Sequence, residues 1–194
     1  MPSNQVLSLV SHIVFIGGSI IYILGILSGE NKPAKVTWLS IAVINSIALL
    51  GLLASEKNIN PVLIVEFACI LIIAISSLTL RYETSKWTKL DYTCAVIFFL
   101  SFFVMRLFTS SVPAISISFV PYFVSFIPTI VTTWRNPDRE DSLAWLILWL
   151  SSIIAILSYP AEILLIGSQP IAFAVSETII LYSLITRRYK FQVA

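Results

Sequence analysis

The chain has 194 residues, of which 58% are hydrophobic and 11% are charged, and its formal net charge is +2. Soluble domains carry roughly 25% charged residues, so this composition excludes a water-soluble globular protein and predicts that membrane lipid covers most of the surface. The few charges lie between apolar runs, which excludes a basic groove for a nucleic acid. The single histidine and the cysteines Cys69 and Cys94, without CxxC or HExxH spacing, give no sign of a metal site or a cofactor.

Seven apolar runs are long enough to cross the hydrocarbon core of a membrane, which takes about 20 residues. No basic residues precede the first run and no cleavage site follows it, so we expect a retained helix rather than a signal peptide. Short polar connections separate the runs, and none could hold a soluble domain. The sequence therefore predicts one transmembrane domain over residues 1–194, an all-α seven-helix bundle with spans at 6–28, 36–54, 62–80, 92–109, 112–134, 142–158 and 161–186.

The distribution of the twelve Lys and Arg residues predicts the orientation. Only Lys57 and Arg106 fall on one side of the expected membrane. The positive-inside rule then predicts an external N-terminus and a cytoplasmic C-terminus, in an integral multi-pass protein of the cell (inner) membrane. The cations on the cytoplasmic side are Lys32, Lys35, Arg81, Lys86, Lys89, Arg135, Arg139, Arg187, Arg188 and Lys190.

A shift of 107 residues brings several landmarks of the sequence into coincidence. Trp38 falls on Trp145, Ser76 falls on Ser183, and the pair Arg81-Tyr82 falls on Arg188-Tyr189. The shift carries the first three helices (about 6–80) onto the last three (about 112–189). It predicts two parallel three-helix repeats joined by a linker helix at about 92–109. The alternative is that these residues are ordinary interfacial anchors, which are common at helix ends.

Residues 126–137 (Phe-Ile-Pro-Thr-Ile-Val-Thr-Thr-Trp-Arg-Asn-Pro) and 141–149 (Asp-Ser-Leu-Ala-Trp-Leu-Ile-Leu-Trp) resemble a PQ-loop. In that motif a Pro-Gln pair ends the first helix of a triplet, and a basic residue, a polar turn and a Trp-rich helix follow; here Thr129 replaces the Gln. The 3+1+3 layout is similar to the SWEET sugar transporters and the wider PQ-loop superfamily. The resemblance implies a carrier, although the KDEL-receptor branch shows that this fold also serves receptors. SWEET proteins place an Asn in the third helix of each triplet, and the predicted third and seventh helices contain none.

Ionisable residues within a span are costly and mark candidate functional positions. Glu66 and Arg106 lie at similar depths near the outer surface, and His12 lies a little deeper. The three could form an outer polar cluster in which Glu66 pairs with Arg106 and His12 adds a titratable donor. Alternatively, Arg106 extends to the outer headgroups and Glu66 makes one interhelical hydrogen bond. Glu177, in the inner half of helix seven, could carry a proton in coupled transport or bind a cation. Alternatively, it is a neutral acid that bonds to a neighbouring Ser or Tyr, such as Tyr182.

Further polar and special residues complete the set of candidates. Asn45, Gln169 and Ser176 could bind a small polar substrate together with Glu66 and Glu177, or could join helices by hydrogen bonds. Three prolines in helix five each remove a helical hydrogen bond, and we expect either hinges, at Pro121 and Pro128 above all, or static bends. The third proline of this helix is Pro113. The interfacial aromatic residues are Trp38 and Trp145, and tryptophans at such positions anchor a helix more often than they stack on a substrate.

These patterns predict a membrane carrier that moves a small solute, sugar-like or another small polar metabolite, by alternating access between two triple-helix bundles. The alternative is a receptor or assembly factor of the same fold that transports nothing. We do not expect an enzyme, because no nucleophile–base pair and no metal cluster stands out. A retinal protein is excluded, since helix seven has no interior lysine for a Schiff base.

Overall fold

The computed structural model describes residues 2–55, 61–79, 87–107, 111–158 and 168–193. Over these residues the chain is all-helical, and the prediction of seven helices is confirmed. A single turn of 3-10 helix, Pro137–Arg139, connects the fifth helix to the sixth. The helices are α1 (Pro2–Leu27), α2 (Lys35–Ser55), α3 (Pro61–Thr79), α4 (Lys89–Leu107), α5 (Ser111–Arg135), α6 (Ser142–Ser158) and α7 (Ser168–Val193).

Local sequence signals explain where several helices begin and end. Gly29, at a φ of 81°, follows the end of α1 and adopts a left-handed conformation that a residue with a Cβ rarely takes. Thr88 and Asp91 form a reciprocal capping box before α4, in which each side chain accepts a hydrogen bond from the other residue's backbone N–H. Asp141 caps α6 by accepting a hydrogen bond of 2.8 Å from the backbone N–H of Ala144.

The seventh helix continues beyond its predicted end at residue 186. The described helix reaches Val193, and its predicted beginning at residue 161 lies outside the described residues. Arg187 holds the extension against α5, because its Nε donates a 3.1 Å hydrogen bond to the backbone oxygen of Trp134. Its guanidinium also lies 4.7 Å from the centroid of the Trp134 ring, a cation–π contact.

The helices pack in an order that differs from their order in the chain. α3 packs against both α1 and α2, and α7 packs against both α5 and α6. Within the described segments, the backbones of α1 and α2 do not come as close to each other, nor do those of α5 and α6, although each pair is consecutive. Two further pairings, α1 with α6 and α2 with α5, join these groups, while α4 packs on α5 and α2. The connections after α1 and after α5 therefore each pass over an intervening helix.

Hydroxyl side chains lie inside the bundle and apolar side chains lie outside. Buried hydroxyls include Thr37, Thr129, Ser152, Ser176 and Ser183, while large apolar side chains on every helix are exposed. Small hydroxyl residues let helices approach closely and form hydrogen bonds in lipid. In the part of the chain that the structure describes, three helices are long and apolar enough to cross a membrane, namely Asn4–Leu27, Pro61–Thr79 and Gln169–Arg187. Length, composition and exposed faces are together those of a membrane protein.

The glycines of α1 allow a test of this packing. A Cβ at Gly25 would collide with the side-chain amide of Asn31, which is buried and donates a 3.2 Å hydrogen bond to the backbone oxygen of Tyr22. We expect Gly25→Ala to displace Asn31 and to lower the free energy of unfolding by about 1–3 kcal/mol, the cost of an unsatisfied buried polar group. The midpoint of thermal unfolding in detergent measures this change.

Gly17→Ala is the matched control, because a Cβ at Gly17 would meet no heavy atom within 4 Å. Alanine is the better helix former, so this change should be neutral or should stabilise the protein by up to about 1 kcal/mol. Equal midpoints for the two variants would contradict the packing of Asn31 on Gly25.

Candidate functional site

A buried carboxyl group lies where α5 turns into α6. Pro137 begins the 3-10 turn after α5, and Glu140 follows that turn with its side chain directed into the bundle, where it is 2% exposed. Its Oε2 accepts a 2.6 Å hydrogen bond from the Tyr22 hydroxyl and a 2.9 Å hydrogen bond from the Trp145 indole N–H. The carboxyl therefore connects α1 to the beginning of α6.

Three aromatic rings surround this carboxyl. The Trp38 indole N–H donates a 3.3 Å hydrogen bond to the Tyr22 hydroxyl. The ring centroids of Tyr22 and Trp38 lie 5.1 Å apart, those of Tyr22 and Trp145 5.7 Å, and those of the two indoles 6.2 Å. We call the four residues Tyr22, Trp38, Glu140 and Trp145 the Glu140 node. Contacts at these distances stabilise each aromatic pair beyond the area that it buries.

Backbone contacts beside the Glu140 node join the connections that follow α1 and α5. The Lys32 backbone N–H donates a 2.8 Å hydrogen bond to the backbone oxygen of Arg139. The Arg139 guanidinium in turn donates a 3.2 Å hydrogen bond to the backbone oxygen of Lys32. The two connections thus bond reciprocally at the end of the bundle that carries the Glu140 node.

The surroundings of Glu140 change its proton affinity. Burial raises the pKa of Glu140 from 4.5 to about 7, against the opposing effects of the hydrogen bonds from Tyr22 and Trp145 and of the nearby charge of Arg139. Asp141 raises it slightly further by like-charge repulsion. The carboxyl group therefore titrates near neutral pH instead of remaining fully ionised.

The sequence did not predict Glu140 as a functional residue, because the charged run Arg139-Glu140-Asp141 is typical of a solvated loop between two spans. The tertiary structure turns only the middle residue inward. The one available signal was the coincidence of Trp38 with Trp145, two donors that need a buried acceptor when they lie inside a bundle. The structure places both indoles inside the bundle and not on its lipid-facing surface, where interfacial anchors would lie, because their N–H groups bond to the buried Tyr22 and Glu140.

Glu177 is the second buried acid, and it lies between α7 and α6. It is 2% exposed, and the Ser152 hydroxyl of α6 donates a hydrogen bond to its carboxyl. Its Oε2 and the Oγ of the adjacent Ser176 have no hydrogen-bond partner among the described residues. Tyr182, the other partner considered from the sequence, is 60% exposed on the outside of α7. A buried carboxyl with one oxygen left over can accept a proton donor or a cation.

The structure brings two members of the outer polar cluster together. The Nδ1 of His12 in α1 lies 2.5 Å from the Oε2 of Glu66 in α3, and both side chains are partly exposed. The side chain of Arg106 lies outside the described residues. The contact between His12 and Glu66 forms because α1 packs directly against α3, and the predicted pairing of Glu66 with Arg106 stays a prediction.

The remaining polar candidates have partners of different kinds. Asn45 donates a 2.9 Å hydrogen bond to the backbone oxygen of Ile41, so its amide faces its own helix. Gln169 accepts a 3.1 Å hydrogen bond from the Tyr122 hydroxyl, which joins α7 to α5. In the described segments, no group of three His, Cys, Asp or Glu side chains is placed to hold a metal ion.

The prolines of α5 lie in a helix that stays continuous. Pro121 and Pro128 are inside α5, while Pro113 falls in its first turn, where a missing N–H breaks no helical bond. The Ser125 hydroxyl donates to the backbone oxygen of Pro121, and the Thr132 hydroxyl donates to that of Pro128. Such bonds to the preceding turn bend helices. The middle of α5 therefore has fewer helical bonds than an ordinary helix.

Thr129, in place of the PQ-loop Gln, lies where α5 meets α2. Its hydroxyl donates a 2.9 Å hydrogen bond to the Thr37 hydroxyl, and both side chains are fully buried.

No protein-family model, curated protein or solved structure matches the chain. The function is therefore inferred from the arrangement of these side chains.

The pKa of Glu140 predicts a dependence of stability on pH. Folding raises this pKa from 4.5 to about 7, so the folded protein binds the proton more tightly than the unfolded chain. The contribution is fully present below pH 4.5 and is lost as the pH rises to about 7, up to about 3 kcal/mol in total. We expect Glu140→Gln to remove this loss, so that thermal unfolding in detergent at pH 8 shows a variant more stable than wild type.

Asp138→Asn is the matched control, because Asp138 is an exposed acid in the same turn. Its pH profile should follow that of wild type. A Glu140→Gln profile parallel to wild type between pH 5 and pH 7 would contradict the assignment of this titration to Glu140.

Proposed function

We propose that the protein is a multi-pass membrane carrier that moves a small polar solute by alternating access between two three-helix bundles. The first bundle comprises α1, α2 and α3, the second α5, α6 and α7, and α4 is the linker. The observation that carries the proposal is the correspondence of helix packing under the 107-residue shift. A carrier of this kind binds its solute between the repeats and opens to each side by their relative motion.

Every packing contact of the first bundle has a counterpart in the second. Contacts of α3 with α1 and α2 correspond to contacts of α7 with α5 and α6, and the α1–α6 contact corresponds to α5–α2. A two-fold axis that exchanges the bundles generates these pairs. This correspondence supports a parallel internal repeat more strongly than the coincidence of a few residues, because six helix pairs must agree.

Residues that are equivalent under the shift also meet each other. Trp38 lies 6.2 Å from its counterpart Trp145, and Lys32 bonds to its counterpart Arg139. In a two-fold arrangement, a residue approaches its own equivalent only near the axis. Both contacts lie at the same end of the bundle, which supports an axis that passes through that end.

Polar groups buried in the second bundle support a solute or ion pathway. Glu177, Ser176 and Ser152 lie between α6 and α7, and two of their oxygens have no hydrogen-bond partner in the described part of the chain. Buried polar groups without partners are costly, so they favour a ligand, a proton or water at that position. The absence of Asn from α3 and α7 favours small polar metabolites other than the sugars carried by SWEET proteins.

The proposed topology can be tested with reporter fusions. Seven spans and the positive-inside rule place residues 35, 89, 141 and 194 in the cytoplasm, because the flanking connections carry ten of the twelve Lys and Arg residues. Fusions of a cytoplasmic reporter at all four positions should be active, and fusions of a periplasmic reporter there should be inactive. An external signal at any of the four would contradict the topology.

The carrier function can be tested by uptake of a panel of sugars, amino acids and other small polar metabolites into proteoliposomes. At least one solute should accumulate, and an imposed proton gradient should change its rate. We expect Glu177→Gln to fold, since it keeps a hydrogen-bonding group, and to lose the response to the gradient because an amide cannot carry a proton.

Asp138→Asn is the matched control, because Asp138 is an exposed acid in the turn between α5 and α6 and is not among the candidate binding residues. A Glu177→Gln variant that keeps the wild-type response would exclude the proton role of Glu177. Tight binding of one solute without any uptake would exclude the carrier and support the receptor of the same fold.

A further inference from the structure

We propose that the Glu140 node is a proton-controlled gate: it holds the two three-helix bundles together at the end where the α1–α2 and α5–α6 connections lie, and loss of the Glu140 proton releases it. The inference rests on the two-bundle architecture of the proposed function. It adds the element that closes one side of the molecule and the signal that opens it.

The residues of the Glu140 node come equally from the two bundles. Tyr22 and Trp38 belong to α1 and α2, while Glu140 and Trp145 belong to the connection after α5 and to α6. The hydrogen bond from Tyr22 to Glu140 crosses between the bundles at 2.6 Å, as do the contacts of the Trp145 ring with Tyr22 and Trp38. Separation of the bundles at this end must therefore break the Glu140 node.

The other contacts between the two bundles favour opening at the end that carries the Glu140 node. Gly18 of α1 lies so close to α6 that an added Cβ would come within 3.1 Å of the Leu148 side chain. α1 and α6 are therefore in tight contact at a point farther along both helices than the Glu140 node. The two bundles can pivot there while their ends separate. On the other pair of helices, α5 and α2, the polar contact is the hydroxyl bond between Thr129 and Thr37.

Protonation of Glu140 favours the closed arrangement. When the gate opens, water reaches the carboxyl and its pKa returns towards 4.5, whereas in the closed arrangement burial holds the pKa at about 7. The closed form therefore binds the proton more tightly, and between these two pH values a rise in pH favours the open form. Above pH 7 Glu140 is ionised in both forms, and a further rise in pH no longer shifts the balance between the closed and the open form.

Charged groups on the neighbouring elements shift the pKa of Glu140 by smaller amounts than burial does. Arg139 lowers the pKa of Glu140 and Asp141 raises it, both from the same connection. Arg187 of α7 donates a hydrogen bond to the backbone oxygen of Trp134, and its guanidinium stacks on the Trp134 ring. Tyr22 and Trp145 donate hydrogen bonds to its carboxyl. Among the described residues, the adjacent segments also carry the cations Lys32, Lys35 and Arg135.

The gate can be tested by a distance measurement that needs no solute. Spin labels are attached to cysteines that replace the exposed residues Ser28 and Asn136, one at the end of each bundle, in a chain in which Cys69 and Cys94 are replaced by alanine. Pulsed electron paramagnetic resonance then gives the distance distribution in lipid nanodiscs from pH 4.5 to pH 8. We expect the ratio of long to short distances to rise on the order of a hundredfold over this range.

Three variants decide the outcome. Glu140→Gln should keep the short distance at every pH, and Asp138→Asn, which changes an exposed acid of the same turn, should behave as wild type. Tyr22→Phe removes the hydrogen bond that crosses between the bundles, so it weakens the closed form and should raise the fraction of long distances at every pH at which wild type is mostly closed. This last variant decides the question if Glu140→Gln does not fold.

A wild-type distance that does not change with pH would overturn the gate, as would a full response in Glu140→Gln or an unchanged fraction of long distances in Tyr22→Phe. These results are independent of uptake. A pH-dependent distance in a protein that carries no solute would leave the gate standing and exclude the carrier.

Discussion

The structure depends on one buried carboxyl group, that of Glu140, at the meeting point of four segments. A carboxyl away from water is stable only when donors surround it, so its burial requires the Tyr22 hydroxyl and the Trp145 indole at bonding distance. Those two donors fix α1 relative to α6, and Trp38 extends the same chain of hydrogen bonds to α2. The turn at Pro137 and the cap at Asp141 place Glu140 where it reaches both donors.

Away from the Glu140 node, the interior of the bundle contains buried polar groups with fewer hydrogen-bond partners. The hydroxyls and the buried acid between α6 and α7 have fewer hydrogen-bond partners than buried polar groups usually have. Pro121 and Pro128 also remove helical hydrogen bonds inside α5. Packing in lipid gains little from the hydrophobic effect, so small polar contacts determine which helix pairs stay together and which can move.

The sequence predicted the helices much better than the site. Seven apolar runs between short polar connections gave the helix count, because length and hydropathy are properties of each segment alone. Glu66 and His12 were predicted to lie in one outer polar cluster, which follows from counting residues along two helices, and the structure places them in contact. Glu140 was missed because a charged tripeptide after a proline turn reads as exposed. Only the position of Tyr22, more than 100 residues away in the chain, makes its burial possible.

By itself, the sequence determined that the chain is helical, that its surface is apolar, and where most helices begin and end, since caps, glycine, proline and hydropathy act over a few residues. The tertiary structure alone decided that α3 and α7 lie between the helices that precede them, and that Trp38 and Trp145 bond inside the bundle. It also decided that Glu177 faces Ser152 instead of Tyr182. The physical reason is that apolar helices carry only a weak periodic signal of which face is buried. The partner of each polar group therefore depends on how distant segments pack.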